Sequence, residues 1–192
     1  PDKTEFWGCN NVYKARDVDR LFIMHDIYVI QSNRDEDLIK NVNKKDFPVY
    51  TLGKYDEIKN NIQYPMKKVV KEFNAAFFIN TVTFMLALAI MQKPKKIELY
   101  GVDMYFGTGT GYMRNDKGCI EFWLGVATGR EIKIGIAKGS TLMRRRVTSN
   151  FYGMKRVERG QGAPGILLVP EYIWERPKCA LKYKIVKSFI DL

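Results

Sequence analysis

Hydrophobic positions near the start of the chain fall in three short runs, residues 5–9, 20–25 and 47–52, and the first two give way directly to polar residues. Their apolar side chains are consecutive rather than alternate, which is the pattern of a strand covered on both faces, as in a parallel sheet between helices. Residues 75–91 are apolar over too long a stretch for one strand and contain neither Gly nor Pro. They predict a strand end or loop running into a buried helix that Pro94 stops. Residues 97–103 read as a strand whose end carries Gly101 and Asp103, and residues 107–111 as a Gly-rich flexible lid. Ile120, Trp123, Leu124 and Ala127 share one face of a helix expected over 118–129. Residues 132–137 alternate and then meet Lys138-Gly139-Ser140, which predicts a strand ending in a turn.

Helix, strand, helix, strand over 75–137 is the crossover rhythm that builds a parallel sheet. The expected fold is therefore α/β and Rossmann-like, a mostly parallel sheet flanked by helices over residues 1–150, with a basic C-terminal extension over 151–192. In the extension, Gly160, Gly162, Pro164 and Gly165 interrupt any regular element. A length of 192 residues at 46% hydrophobic content suits one core rather than two full domains. The apolar run at 75–91 holds 17 residues and is interrupted by Asn80, Thr81 and Thr83, which favours a core helix over a membrane span.

The net charge of +11 is uneven, because residues 133–192 hold 13 Lys/Arg against 4 Asp/Glu. That asymmetry suits an anionic partner. Arg144, Arg145, Arg146, Lys155 and Arg156, with Phe151 and Tyr152 between them, suggest nucleic acid, and a solvated basic face is the plain alternative. Cys9, Cys119 and Cys179 form no Cys-x-x-Cys pair and no cluster of metal-ligand spacing, so neither a metal nor a disulfide framework is expected. The polar opening residues do not read as a targeting leader, so the expected location is cytoplasmic. A start at Pro1 without Met suggests a trimmed or partial product.

Parallel strands direct their carboxyl ends to one edge, where helices begin and ligands bind. Asn10 and Asn11 follow the first strand, His25 and Asp26 the second, Asn80, Thr81 and Thr83 sit at the helix entrance, and Asp103 and Tyr105 follow Gly101. Asn and Thr offer uncharged donors and acceptors for a base or ribose, and free amides at a helix start attract phosphate. Asn80 and Thr81 equally suit helix capping. His25 is the single histidine and the candidate general base, with Asp26 beside it. Asp103 is the carboxylate placed for an acceptor hydroxyl or ribose.

Residues 78–90 (Phe-Ile-Asn-Thr-Val-Thr-Phe-Met-Leu-Ala-Leu-Ala-Ile) and 97–105 (Ile-Glu-Leu-Tyr-Gly-Val-Asp-Met-Tyr) together resemble a known pattern. In Rossmann-like bacterial sialyltransferases and the related hydroxymethylpterin-pyrophosphokinase-like proteins, a small polar turn, an apolar helix and a strand ending Gly-Ile/Val-Asp-x-Tyr follow in that order. The strand end Trp7-Gly8-Cys9-Asn10 is also similar, the likeness runs over about residues 5–137, and uncharacterised bacteriophage proteins share such stretches. The resemblance implies a CMP-sugar-like or other nucleotide donor held by Asn10, the Asn80/Thr81 turn and residues 101–105. It also implies a glycosyltransferase-like transferase of bacteriophage type, working in a host cytoplasm. The family's Gly-rich turn after its first strand is expected upstream of Pro1, and its downstream catalytic His has no counterpart in 104–192. Without that His, the same residues suit a binding module that takes a nucleotide, or nucleic acid through the basic extension, without turnover.

Overall fold

The structure, a computed structural model, describes residues 4–143 apart from 34, 103–110, 139 and 141, with backbone alone for 111–115. The chain divides into two compact units, Pro1–Leu142 and Met143–Leu192, and every element named below belongs to the first.

Strands β1 (Trp7–Cys9), β2 (Arg20–Ile23), β3 (Val49–Thr51) and β4 (Asn61–Gln63) form an all-parallel sheet in the order β1-β2-β3-β4. Cys9 pairs with Phe22, Phe22 with Tyr50, and Tyr50 with Ile62. A second parallel pair joins β5 (Lys96–Leu99) to β6 (Lys133–Ile136). Parallel neighbours cannot be joined by a tight hairpin, so each link crosses over. A 3-10 turn at Val12–Lys14 links β1 to β2, and α1 (Ile27–Asn33) with α2 (Leu38–Asn43) links β2 to β3. Loop 52–60 reaches β4, after which α3 (Met66–Phe73) and α4 (Thr81–Met91) precede β5, and α5 (Gly111–Gly129) joins β5 to β6.

Successive side chains on a strand point to opposite faces, and here both faces are covered. Leu21, Ile23 and Val49 pack with Tyr13, Ile27, Leu38, Val42 and Ile58 from the early crossovers. Phe22 belongs to the other cluster, with Val69, Phe84, Leu88, Trp123 and Leu124 from α3, α4 and α5. The consecutive apolar run of β2 is the trace of this two-sided burial, and the α/β class follows from it.

The late rhythm of the chain is the expected one: α4, β5, α5 and β6, with Ile120, Trp123, Leu124 and Ala127 all buried. Lys93, at φ 54°, closes α4 just before Pro94, as its N–H donates to Ile90 O. Three details differ. Strands are shorter than their apolar runs, so Gly101 lies beyond β5 in a left-handed conformation, at φ 68°. Helix α5 begins at Gly111, seven residues before the expected start, because its first turns lack the apolar stripe that marks its later ones. Elements α1, α2, α3 and β4 carry weak patterns and were not anticipated. No helix among the described residues is long and apolar enough to cross a membrane.

Candidate functional site

Because β1 to β4 are parallel, their carboxyl ends share one edge. Asn10 follows β1 in a left-handed conformation, at φ 51°, one of the few that Asn tolerates better than most side chains. Its N–H donates to Phe22 O at 3.0 Å, which ties the end of β1 onto β2. Asn11 precedes the 3-10 turn and makes no side-chain cap bond, so both exposed amides face solvent at this edge. His25 is exposed two residues beyond β2, and its ring makes no hydrogen bond among the described residues.

Asp26 has a local task. Its Oδ1 accepts from the N–H groups of Tyr28 at 2.9 Å and Val29 at 3.1 Å, the bonds of a helix N-cap. The Ile27 N–H donates to Tyr55 Oη at 3.4 Å, so the first amides of α1 are satisfied within the protein. Asp26 therefore orients α1 rather than the neighbouring imidazole.

The first turn of α4 reaches the same edge through Tyr64, which follows β4. The Tyr64 N–H donates to Thr51 O at 2.7 Å, and its buried hydroxyl donates to Phe84 O at 2.9 Å. Burial pushes the Tyr64 phenol well above its ordinary pKa, so it stays a donor. Asn80 caps α4, accepting from the Thr83 N–H at 3.1 Å, while its Nδ2 donates to Asp116 Oδ1 of α5 at 3.4 Å. The Thr83 hydroxyl turns back to Asn80 O at 2.6 Å. Thr81 is 6% exposed, yet its hydroxyl makes no hydrogen bond among the described residues, and neither do the N–H groups of Thr81 and Val82. Asn80→Ala should lower the unfolding free energy by about 1 kcal/mol. Urea unfolding followed by circular dichroism measures it, and an unchanged midpoint would contradict the cap.

The edge thus gathers Asn10, Asn11, His25, Asp26 and the Asn80–Thr83 turn. Gly101 is exposed beyond β5, in the second strand pair, and a Cβ there would meet nothing within 4 Å. Asp103, Tyr105, the Gly-rich stretch to residue 110 and the basic residues 144–156 lie outside the described residues. No group of three His, Cys, Asp or Glu that would hold a metal ion occurs among the described residues. Burial raises the thiol pKa of both Cys9 and Cys119, which makes them poor nucleophiles.

An open recess of about 410 Å³ lies at the opposite, amino-terminal ends of β5 and β6, lined by Glu72, Lys93, Pro94, Arg130, Glu131 and Ile132. Arg130 there pairs with Glu72 at 2.9 Å and covers the Phe73 ring at 4.4 Å, roles that tie α5 to α3. Its basic groups also sit beyond helix carboxyl termini, where cations offset the macrodipole, so the recess has a structural explanation.

Residues absent from the sequence-based site are Tyr28, Tyr55, Glu57, Tyr64 and Asp116. Their partners stand 20 to 36 residues away, beyond the reach of any local spacing rule. No protein-family model, curated protein or solved structure matches this chain.

Proposed function

We propose that the protein binds a nucleotide or nucleotide-sugar at the carboxyl edge of its parallel strands, in a Rossmann-like arrangement. The observation that supports this most is Thr81. A nearly buried hydroxyl and two backbone N–H groups stand without protein partners at the start of an 11-residue helix. Buried polar groups ordinarily have partners, and a helix start with free amides attracts phosphate oxygens. Asn10 and Asn11 add uncharged donors and acceptors across the same edge.

Turnover by a glycosyltransferase-like transferase of bacteriophage type extends this reading, with His25 as general base and Asp103 toward the acceptor. The alternative is binding without turnover, as a nucleotide or nucleic-acid module. The use of Asp26 as a cap favours that alternative, since a catalytic imidazole ordinarily needs a group to hold its orientation. The resemblance to the sialyltransferase and pyrophosphokinase-like proteins is part of the same proposal, as is a cytoplasmic setting.

Thermal unfolding with a panel of nucleotides and nucleotide-sugars tests the reading. A ligand at a hundredfold its Kd should add about 2.7 kcal/mol to stability. Thr81→Val should remove that gain while leaving the apo protein folded. If no member of the panel shifts the transition at millimolar concentration, the proposal is lost. Donor hydrolysis that disappears in His25→Ala while binding persists would establish the transferase form.

A further inference from the structure

The carboxyl edge carries a second group of side chains that capping and phosphate binding leave without a role. Tyr28 of α1 and Tyr55 of loop 52–60 meet edge to face, with ring centroids 5.5 Å apart and an interplanar angle of 67°. Tyr28 is 50% exposed, and its hydroxyl donates to Glu57 Oε1 at 2.7 Å. That bond holds Glu57 ionised, below its ordinary pKa, and keeps the phenol protonated above its own. The Tyr55 hydroxyl donates to Asp26 Oδ2 over a long 3.5 Å. Glu57 is fixed from its main chain, whose carbonyl accepts from Asn43 Nδ2 at 2.7 Å.

This geometry leaves Glu57 Oε2, and for the most part Asp26 Oδ2, as acceptors beside exposed aromatic rings. The lysines of the same loop are engaged elsewhere, Lys54 with Asp56 at 2.8 Å and Lys59 with Asp46 at 3.3 Å. Carboxylates without a cation between them repel phosphate. They suit the O–H donors of a ligand, and the rings suit a flat or weakly polar face.

We infer that Tyr28, Tyr55, Glu57 and Asp26 receive the uncharged ribose of the nucleotide, with Glu57 accepting from a sugar hydroxyl, while its phosphates lie toward the start of α4. The inference rests on the nucleotide reading above and adds a polarity to it: acceptors at α1 for the sugar, donors at α4 for the anion.

Calorimetric titration with the four ribonucleoside 5′-monophosphates, their 2′-deoxy counterparts and inorganic phosphate separates the two. The wild-type protein should prefer the ribonucleotide by about tenfold, the equivalent of one hydrogen bond. Glu57→Gln should erase that preference and leave the deoxynucleotide and phosphate affinities unchanged, and Tyr28→Ala should weaken both nucleotides but not phosphate. Both side chains are exposed, and matching thermal transitions would show that the variants fold. Equal wild-type affinity for ribo and deoxy forms, or an unaltered preference in Glu57→Gln, overturns the ribose assignment with nucleotide binding intact. Absence of binding by every nucleotide overturns both.

Discussion

Trp123→Ala should lower the unfolding free energy by about 3–5 kcal/mol, the usual cost of truncating a large core aromatic. Trp123 is fully buried on α5 and stacks on Phe78 at 5.2 Å, while Phe73 and Phe122 meet it edge to face at 5.1 and 5.3 Å. Its indole N–H donates to Phe77 O at 2.7 Å, and Cys119 Sγ donates to the same carbonyl at 3.0 Å. The substitution therefore opens a cavity and removes one of two bonds that hold loop 75–80, the segment that leads into Asn80 and Thr81. A domain with a total stability of about 5–15 kcal/mol would lose a large share of it. Trp123→Phe keeps most of the packing and should cost less than half as much. Urea titration followed by circular dichroism measures both, and nucleotide affinity should fall with loop order in the Ala variant. A loss under about 1.5 kcal/mol for Trp123→Ala would be at odds with close packing around the ring.

Phe22→Ala should cost about as much, roughly 3–5 kcal/mol, for a different reason. Phe22 is fully buried on the central strand and lies between Trp7, at 5.2 Å and 27°, and Tyr50, at 4.7 Å and 9°. Tyr50 is its direct cross-strand neighbour, and Trp7 its diagonal one. Such aromatic pairs add about 0.5–1.5 kcal/mol each beyond the area they bury. The ladder therefore fixes how β1, β2 and β3 align, and with them the places of Asn10 and His25. Phe22→Leu, which retains most of the volume, should recover more than half of the loss. Equal destabilisation by Leu and Ala would show that ring stacking, not volume, sets the cost. Trivial destabilisation by Ala would remove the ladder from the account.

Much of this architecture is legible locally. The consecutive apolar residues of β2 announce burial on both faces, and the Asn80-Thr81-x-Thr83 turn before an apolar run announces a capped buried helix, as Asn80 proves to be. Elements α1 and α2 are short, with 7 and 6 residues, and each shows too few turns for a periodic pattern to stand out. Strand β4 is partly exposed at the sheet edge and reads as Asn-Ile-Gln, with no apolar run to mark it. The helical start of α5 was hidden behind glycine for the same want of a stripe.

Residue types at strand ends also indicated which edge carries polar chemistry, but not how each side chain is engaged there. From sequence, Asp26 is a carboxylate beside a histidine; in the fold, two amides of α1 claim it. Tyr28 and Glu57 stand 29 positions apart, and Trp123 stands 46 from the carbonyl it binds. Fold class, caps and burial pattern come from the sequence alone because each depends on neighbours within a turn or two of the same element. Pairings across the edge were decided by tertiary structure, because only the stacking of β2 against β3 and of α5 against loop 75–80 brings those groups within hydrogen-bonding reach.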